Sequence, residues 1–200
     1  MHVRVNTVTG ATDIDAGIAL LRDKVVPELL GAKGFRGLTA SANRATGEMG
    51  ILGLWETRED LEASDSAVAK LRQEAMAVLG GSITTWVMEQ VVIEMGESPP
   101  AVGNPLRIVN VSMDPARVDE HVEFFKTQIL PEMKATPGFR GVRNMIDRAT
   151  GKGLVGTIWA DEASMQATEA GNAARQERAR AQGVEVSDPT FREVLFTHLV

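Results

Sequence analysis

The chain has no cysteine and no tyrosine among its 200 residues, and only 4% of it is aromatic. Without cysteine there are no disulfides, thiolate zinc sites, iron–sulfur clusters or cysteine nucleophiles. Without tyrosine, no phenol of the protein's own can act as an acid, a radical site or a haem ligand. No apolar run approaches the roughly 20 residues that span a bilayer, and the N-terminal Met1-His2-Val3-Arg4 lacks the basic-then-apolar layout of a signal. A net charge of −6, from 21 basic and 27 acidic side chains spread over both halves, leaves no phosphate-binding face. The expectation is a soluble, cytoplasmic protein with no nucleic-acid or membrane partner. Hydrophobic residues make up 44% and charged residues 24%, enough to bury a core in one large domain or two small ones.

Sliding the sequence against itself by 104 positions brings like onto like. Pro27-Glu28 falls on Pro131-Glu132, Gly34-Phe35-Arg36-Gly37 on Gly138-Phe139-Arg140-Gly141, Arg44-Ala45-Thr46-Gly47 on Arg148-Ala149-Thr150-Gly151, and Trp55 on Trp159. The chain reads as a tandem duplication, 1–96 and 106–200, joined by a linker at 97–105 that holds three prolines and a glycine. Each copy reads strand, helix, strand, strand, helix, strand. Asp114-Pro115 is a helix start, and Val118, Val122, Phe125, Ile129 and Met133 recur at helical spacing after it. Pro27 and Pro131 fall near the ends of the first helices and are expected to kink or tighten the last turns. An Asx residue opening and a glycine closing the Asn43–Gly47 and Asp147–Gly151 connections is hairpin chemistry. The βαββαβ order predicts an α+β fold of two ferredoxin-like repeats whose antiparallel sheets pack together.

These residues resemble the antibiotic biosynthesis monooxygenase (ABM) family of dimeric α/β-barrel proteins, over nearly the whole chain and twice. The resemblance rests on the Pro-Glu pair, the Gly-Phe-Arg-Gly turn, the Arg-Ala-Thr-Gly hairpin and the tryptophan that closes strand three. It implies a barrel formed within one chain, open to further dimerisation, and two branches of activity. One is cofactor-independent oxidation of phenols or quinols, in which the electron-rich substrate itself activates oxygen. The other is haem degradation, which uses an asparagine on strand one, a tryptophan on strand three and a histidine on helix two. Asn6 and Asn110 match the asparagine, and Trp55 and Trp159 the tryptophan. Asp65 and Glu169 stand where the histidine belongs, so no cofactor is expected and haem is disfavoured.

The resemblance makes Asn6 and Asn110 the groups that hold a substrate oxygen, with Asp65 or Glu169 assisting deprotonation. Read from the residues alone, Asn6 and Asn110 interrupt apolar strands, so each needs either a structural partner or a ligand. Trp55 and Trp159 are either core or the wall of a pocket for a flat aromatic molecule. Arg36 and Arg140 either pin the turn through backbone carbonyls or meet an acidic substituent, and Asp65 and Glu169 are otherwise a solvated helix face. Of the three histidines, His198 on the last strand is the candidate for a pocket, while His121 reads as the edge of an exposed helix face. The second helix of the second copy offers Met165, Asn172, Arg175 or Gln176, and Ala179 where the first has leucine and valine. That weaker stripe reads as alanine-rich packing with Arg175, Arg178 and Arg180 near a helix C-terminus. The functional expectation is an oxygenase acting on a hydrophobic aromatic small molecule. A non-catalytic haem- or small-molecule-binding protein and a structural module with filled pockets are the alternatives.

Overall fold

Strand β1 (His2–Thr9) alternates residues between two faces and leads to Asp13, whose carboxylate accepts the Ala16 N–H at 2.9 Å and opens α1 (Ile14–Leu20). A π-helical turn at Leu21–Val25 follows, then α2 (Val26–Leu29) with Pro27 in its first turn. The hairpin β2 (Phe35–Asn43) and β3 (Glu48–Trp55) comes next, then α3 (Arg58–Ala63), α4 (Asp65–Leu79) and the long β4 (Ser82–Met95). The second half repeats this order. Strand β5 (Pro105–Ser112) leads through a short 3₁₀ turn to α5 (Val118–Phe124), a π-helical turn at Phe125–Ile129 and α6 (Leu130–Ala135). Then come β6 (Phe139–Asp147), β7 (Lys152–Trp159), α7 (Glu162–Ala167), α8 (Glu169–Ala181), a two-residue β8 (Glu185–Val186) and β9 (Thr190–Leu199). These are the elements of a computed structural model that describes residues 1–200.

The strands are hydrogen-bonded in the order β7-β6-β4-β1-β3-β2-β9-β5-β8, and β5 also pairs with β7. The order closes on itself, so the fold is α+β with a closed antiparallel β-barrel and helices. Two compact units make up the chain: Met1–Val87 with Arg192–Val200, and Met88–Phe191. Within the first, β2 pairs with the tail strand β9, from Gly37 against Leu199 to Ala42 against Glu193. Within the second, the far half of β4 pairs with β6, from Glu89 against Ile146 to Met95 against Gly141. Each unit has its own core between helices and sheet, centred on Leu21, Trp55 and Leu71 in the first and on Val122, Val142 and Trp159 in the second.

Three details of local structure position the side chains discussed below. Pro27 and Pro131 lack an N–H and crowd the preceding turn, and the helix answers by widening into a π-helical turn rather than by tightening. Arg36 and Arg140 each occupy a β-bulge, between Phe35 opposite Trp55 and Gly37 opposite Leu54, and between Phe139 opposite Trp159 and Gly141 opposite Ile158. Finally, β1 and β5 match at a shift of 103 (His2 to Pro105), whereas α1 and α5 match at 104 (Ile14 to Val118). The connection after β5 is one residue longer. A one-residue slip turns every side chain of a strand to its other face.

Candidate functional site

The π-helical turn after α5 opens the inner face of that helix over the sheet of the second unit, leaving a half-open cavity of about 90 Å³. Its walls are mainly apolar, with Val109 and Val111 from β5, Phe125 and Ile129 from the π-helical turn, and Val155 from β7. Into this wall project polar groups from three elements: His121 from α5, Asn144 from β6, and Arg175 with Gln176 from α8. His121 and Asn144 are each 5% exposed and Arg175 6%. Neither ring nitrogen of His121 has a hydrogen-bond partner in the protein, nor has Asn144 Oδ1, Arg175 Nε or Gln176 Nε2. Buried polar atoms are nearly always paired, so five orphans around one cavity mark a place built for a ligand's polar groups.

Burial holds the His121 pKa below the ordinary imidazole value, with the nearby Arg117 charge adding to the effect and Glu120 and Asp114 opposing it. At neutral pH the ring is uncharged, one nitrogen a donor and the other an acceptor. Burial also lowers the pKa of Arg175; Glu132 favours its charge, and Arg107 and Arg178 oppose it.

The first unit has a smaller cavity of about 50 Å³, with Asn6, Trp55, Leu71 and Arg72 in its wall. Asn6 Oδ1 accepts a hydrogen bond from Thr85 Oγ1 at 2.8 Å. The position that corresponds to His121 is Gly17, and a Cβ there would lie 2.2 Å from Leu79 Cδ2. The first unit therefore fills with Leu79 the space that the second gives to an imidazole, and Gly183 stands 104 residues after Leu79. Likewise Leu71 stands where Arg175 does, and Val68 where Asn172 does.

The remaining sequence candidates fall as follows. Asn110 lines neither cavity: the slip in β5 puts it on the opposite face, exposed, with its backbone bonded to Ser187. Val109, opposite Val155, takes the place that Asn6 has opposite Ile51. Asp65 and Glu169 hold buried arginines. Arg4 pairs with Asp65 and donates to the Leu61 carbonyl at 3.0 Å and to Ser64 Oγ at 3.2 Å. Arg107 pairs with Glu169 and donates to Thr168 Oγ1 at 2.7 Å and to the Met165 carbonyl at 3.2 Å. These clamps tie β1 to the α3–α4 junction and β5 to the α7–α8 junction. The carboxylates themselves are 66% and 60% exposed, outside both cavities.

Trp55 lines the first cavity, edge-on to Phe35 and 5.0 Å beneath the Arg4 guanidinium, with Nε1 unpartnered. Trp159 is edge-on to Phe139, gives its Nε1–H to Thr157 Oγ1 at 3.3 Å, and lies outside the second cavity's wall. Arg36 pairs with Glu56 at 2.5 Å, and its carbonyl accepts from Val200, as that of Arg140 accepts from Gly96. Neither arginine, nor half-buried His198, reaches a cavity. The two expectations overturned most plainly are His121, which lies inside, and Arg175, which is buried rather than a solvated helix-end charge. His121 completes an i, i+3, i+4, i+7 set with Val118, Val122 and Phe125, so its place on the inner face was available in the spacing.

Solved structures of similar architecture carry the comparison. A candidate monooxygenase from Lactobacillus acidophilus NCFM superposes with a TM-score of 0.71 at 9% identity, covering 99% of this chain and 96% of its own. An anthrone oxidase-like protein gives 0.67 at 17% identity, covering 99% and 92%. A ferredoxin-fold protein from Listeria monocytogenes, related to antibiotic biosynthesis monooxygenases, gives 0.54 at 10%, covering 97% and 95%. This chain has the ABM-like fold. A haem-degrading enzyme of Listeria monocytogenes shares that ABM-like architecture at a TM-score of 0.51 and 10% identity, covering 96% and 99%. No protein-family profile matches the chain. By sequence it is 26% identical, over 203 residues, to an uncharacterized protein of Mycobacterium tuberculosis H37Rv, covering all of this chain and 89% of that one. No helix is long and apolar enough to cross a membrane.

Proposed function

We propose that the chain is an oxygenase that oxidises a small electron-rich aromatic molecule, a phenol or quinol, in the cavity of the second unit. The observation that carries this reading is the neutral, buried imidazole of His121, both of whose nitrogens lack partners at the wall of an apolar cavity. A phenolic hydroxyl suits that imidazole: it donates to the bare nitrogen and loses its proton there. The Asn144 carbonyl accepts from a second hydroxyl. Phenyl-sized apolar walls orient the ring, and about 90 Å³ with an open mouth suits one ring with its edge at the entrance.

The chemistry balances without a cofactor. Deprotonation by His121 makes the ring electron-rich enough to pass electrons to O₂. A carbon–oxygen bond forms at the ring and the O–O bond breaks. One oxygen atom stays on the ring as a new hydroxyl and the other leaves as water, the two original hydroxyls become the quinone carbonyls, and the substrate supplies all four electrons. Hydroquinone plus O₂ thus gives hydroxyquinone plus water. Haem is disfavoured here because Glu169, at the position of the haem branch's helix-two histidine, is engaged by Arg107 outside this cavity.

Oxygen uptake with a panel of phenols and hydroquinones tests the reading. Uptake coupled one-to-one to quinone formation, falling on the order of 100-fold or more in His121→Leu, is the expected result. Equal uptake by the variant refutes the role of His121.

A further inference from the structure

We propose that the aromatic ligand of this cavity carries a carboxylate, and that Arg175 holds it. The inference rests on the reading of the second-unit cavity as an aromatic site and names the class of molecule that fits it.

Arg175 is a buried cation without a counter-ion. Its Nε has no acceptor, and the guanidinium makes no salt bridge. Glu132, whose charge favours it, is taken by Arg178 at 2.6 Å. Glu169, on the same helix, is taken by Arg107. Glu132 thus favours the Arg175 charge without pairing with it, Arg107 and Arg178 oppose it, and both nearby carboxylates are already engaged by those two arginines. Packing does not require an arginine either, because the corresponding residue in the first unit is Leu71, equally buried in a cavity wall. Leaving a buried charge unpaired is costly, and an incoming carboxylate removes that cost while offering the guanidinium two parallel acceptors. The other orphans are complementary. The neutral His121 and the Asn144 carbonyl meet hydroxyl groups, so the fitting molecule is a hydroxylated aromatic acid rather than a neutral phenol.

Calorimetric titration with salicylate and with phenol, a pair that differs by one carboxylate, tests this in the wild-type protein, Arg175→Gln and Arg175→Lys. Salicylate is expected to bind at least about tenfold more tightly than phenol, as a charge-assisted pair in a buried site implies. Arg175→Gln is expected to abolish that preference while keeping phenol affinity, which also shows that the variant is folded. Arg175→Lys is expected to keep part of it. Phenol binding without a carboxylate preference in the wild type, or a preference that survives Arg175→Gln, overturns the inference and leaves the aromatic site standing. Absence of binding by both compounds overturns the inference and the site together.

Discussion

Replacing His121 by leucine should make the protein more stable while removing its activity. Two ring nitrogens of His121 are buried without partners, and an unsatisfied buried polar group costs about 1–3 kcal/mol. Leucine has a similar volume, no polar atoms and a slightly better helix propensity, worth a few tenths of a kcal/mol at mid-helix. Taking the lower part of that range because the cavity is half-open, the gain is about 1–2 kcal/mol, or roughly 2–8 °C in Tm for a chain of this size. Acid makes the contrast sharper. Burial lowers the native pKa of His121 below its unfolded value of 6.5, so between the two values the unfolded chain binds more protons. Stability from this residue is fully present above about pH 6.5 and falls as the pH drops through the native pKa. The leucine variant has no such loss, and its advantage should widen from pH 8 to pH 5. Melting curves of both proteins across that range are the assay. A variant that melts at or below the wild-type temperature at every pH refutes the claim that the imidazole stands ready for a ligand.

Gly17→Ala, whose Cβ would lie 2.2 Å from Leu79 Cδ2, should destabilise the first unit by about 1–3 kcal/mol in urea unfolding and leave ligand binding unchanged. Arg4→Met should cost about 2–3 kcal/mol, because it strips the charged donor from the Leu61 carbonyl and Ser64; Asp65→Asn, at an exposed partner, should cost less than about 1 kcal/mol in the same assay. Asn110→Ala should leave phenol affinity and oxygen uptake intact, whereas Asn144→Leu should weaken binding of a dihydroxylated ring about five- to tenfold by titration.

Much of the fold was readable from paired signals in the two halves. The Gly-Phe-Arg-Gly turns do precede strands whose first residue faces a tryptophan, Phe35 opposite Trp55 and Phe139 opposite Trp159. The Asn43 and Asp147 connections are hairpins closed by Gly47 and Gly151, both at positive φ. The site was less legible, for two physical reasons. A gapless comparison cannot see the extra residue after β5, and in a strand that single residue decides which face a side chain takes. Asn110 was thereby matched to Asn6, and the matching buried pair Arg4 and Arg107 went unseen. The second reason is that Arg175 and Gln176 look like helix-surface residues by composition. Only the cavity beneath the π-helical turn shows that this face of α8 looks inward. The polar stripe of α8 was visible in the sequence as an asymmetry between halves, but its meaning depended on the cavity behind it.

With only three histidines in the chain, the imidazole resonances offer the most direct test of the central claim. A two-dimensional ¹H–¹⁵N spectrum of the rings, followed through a pH titration and then through addition of phenol, reports on each ring separately. The account predicts that His121 titrates below 6.5 and that its nitrogens shift on phenol addition while those of His2 and His198 do not. A His121 that titrates like a free imidazole and ignores phenol contradicts it.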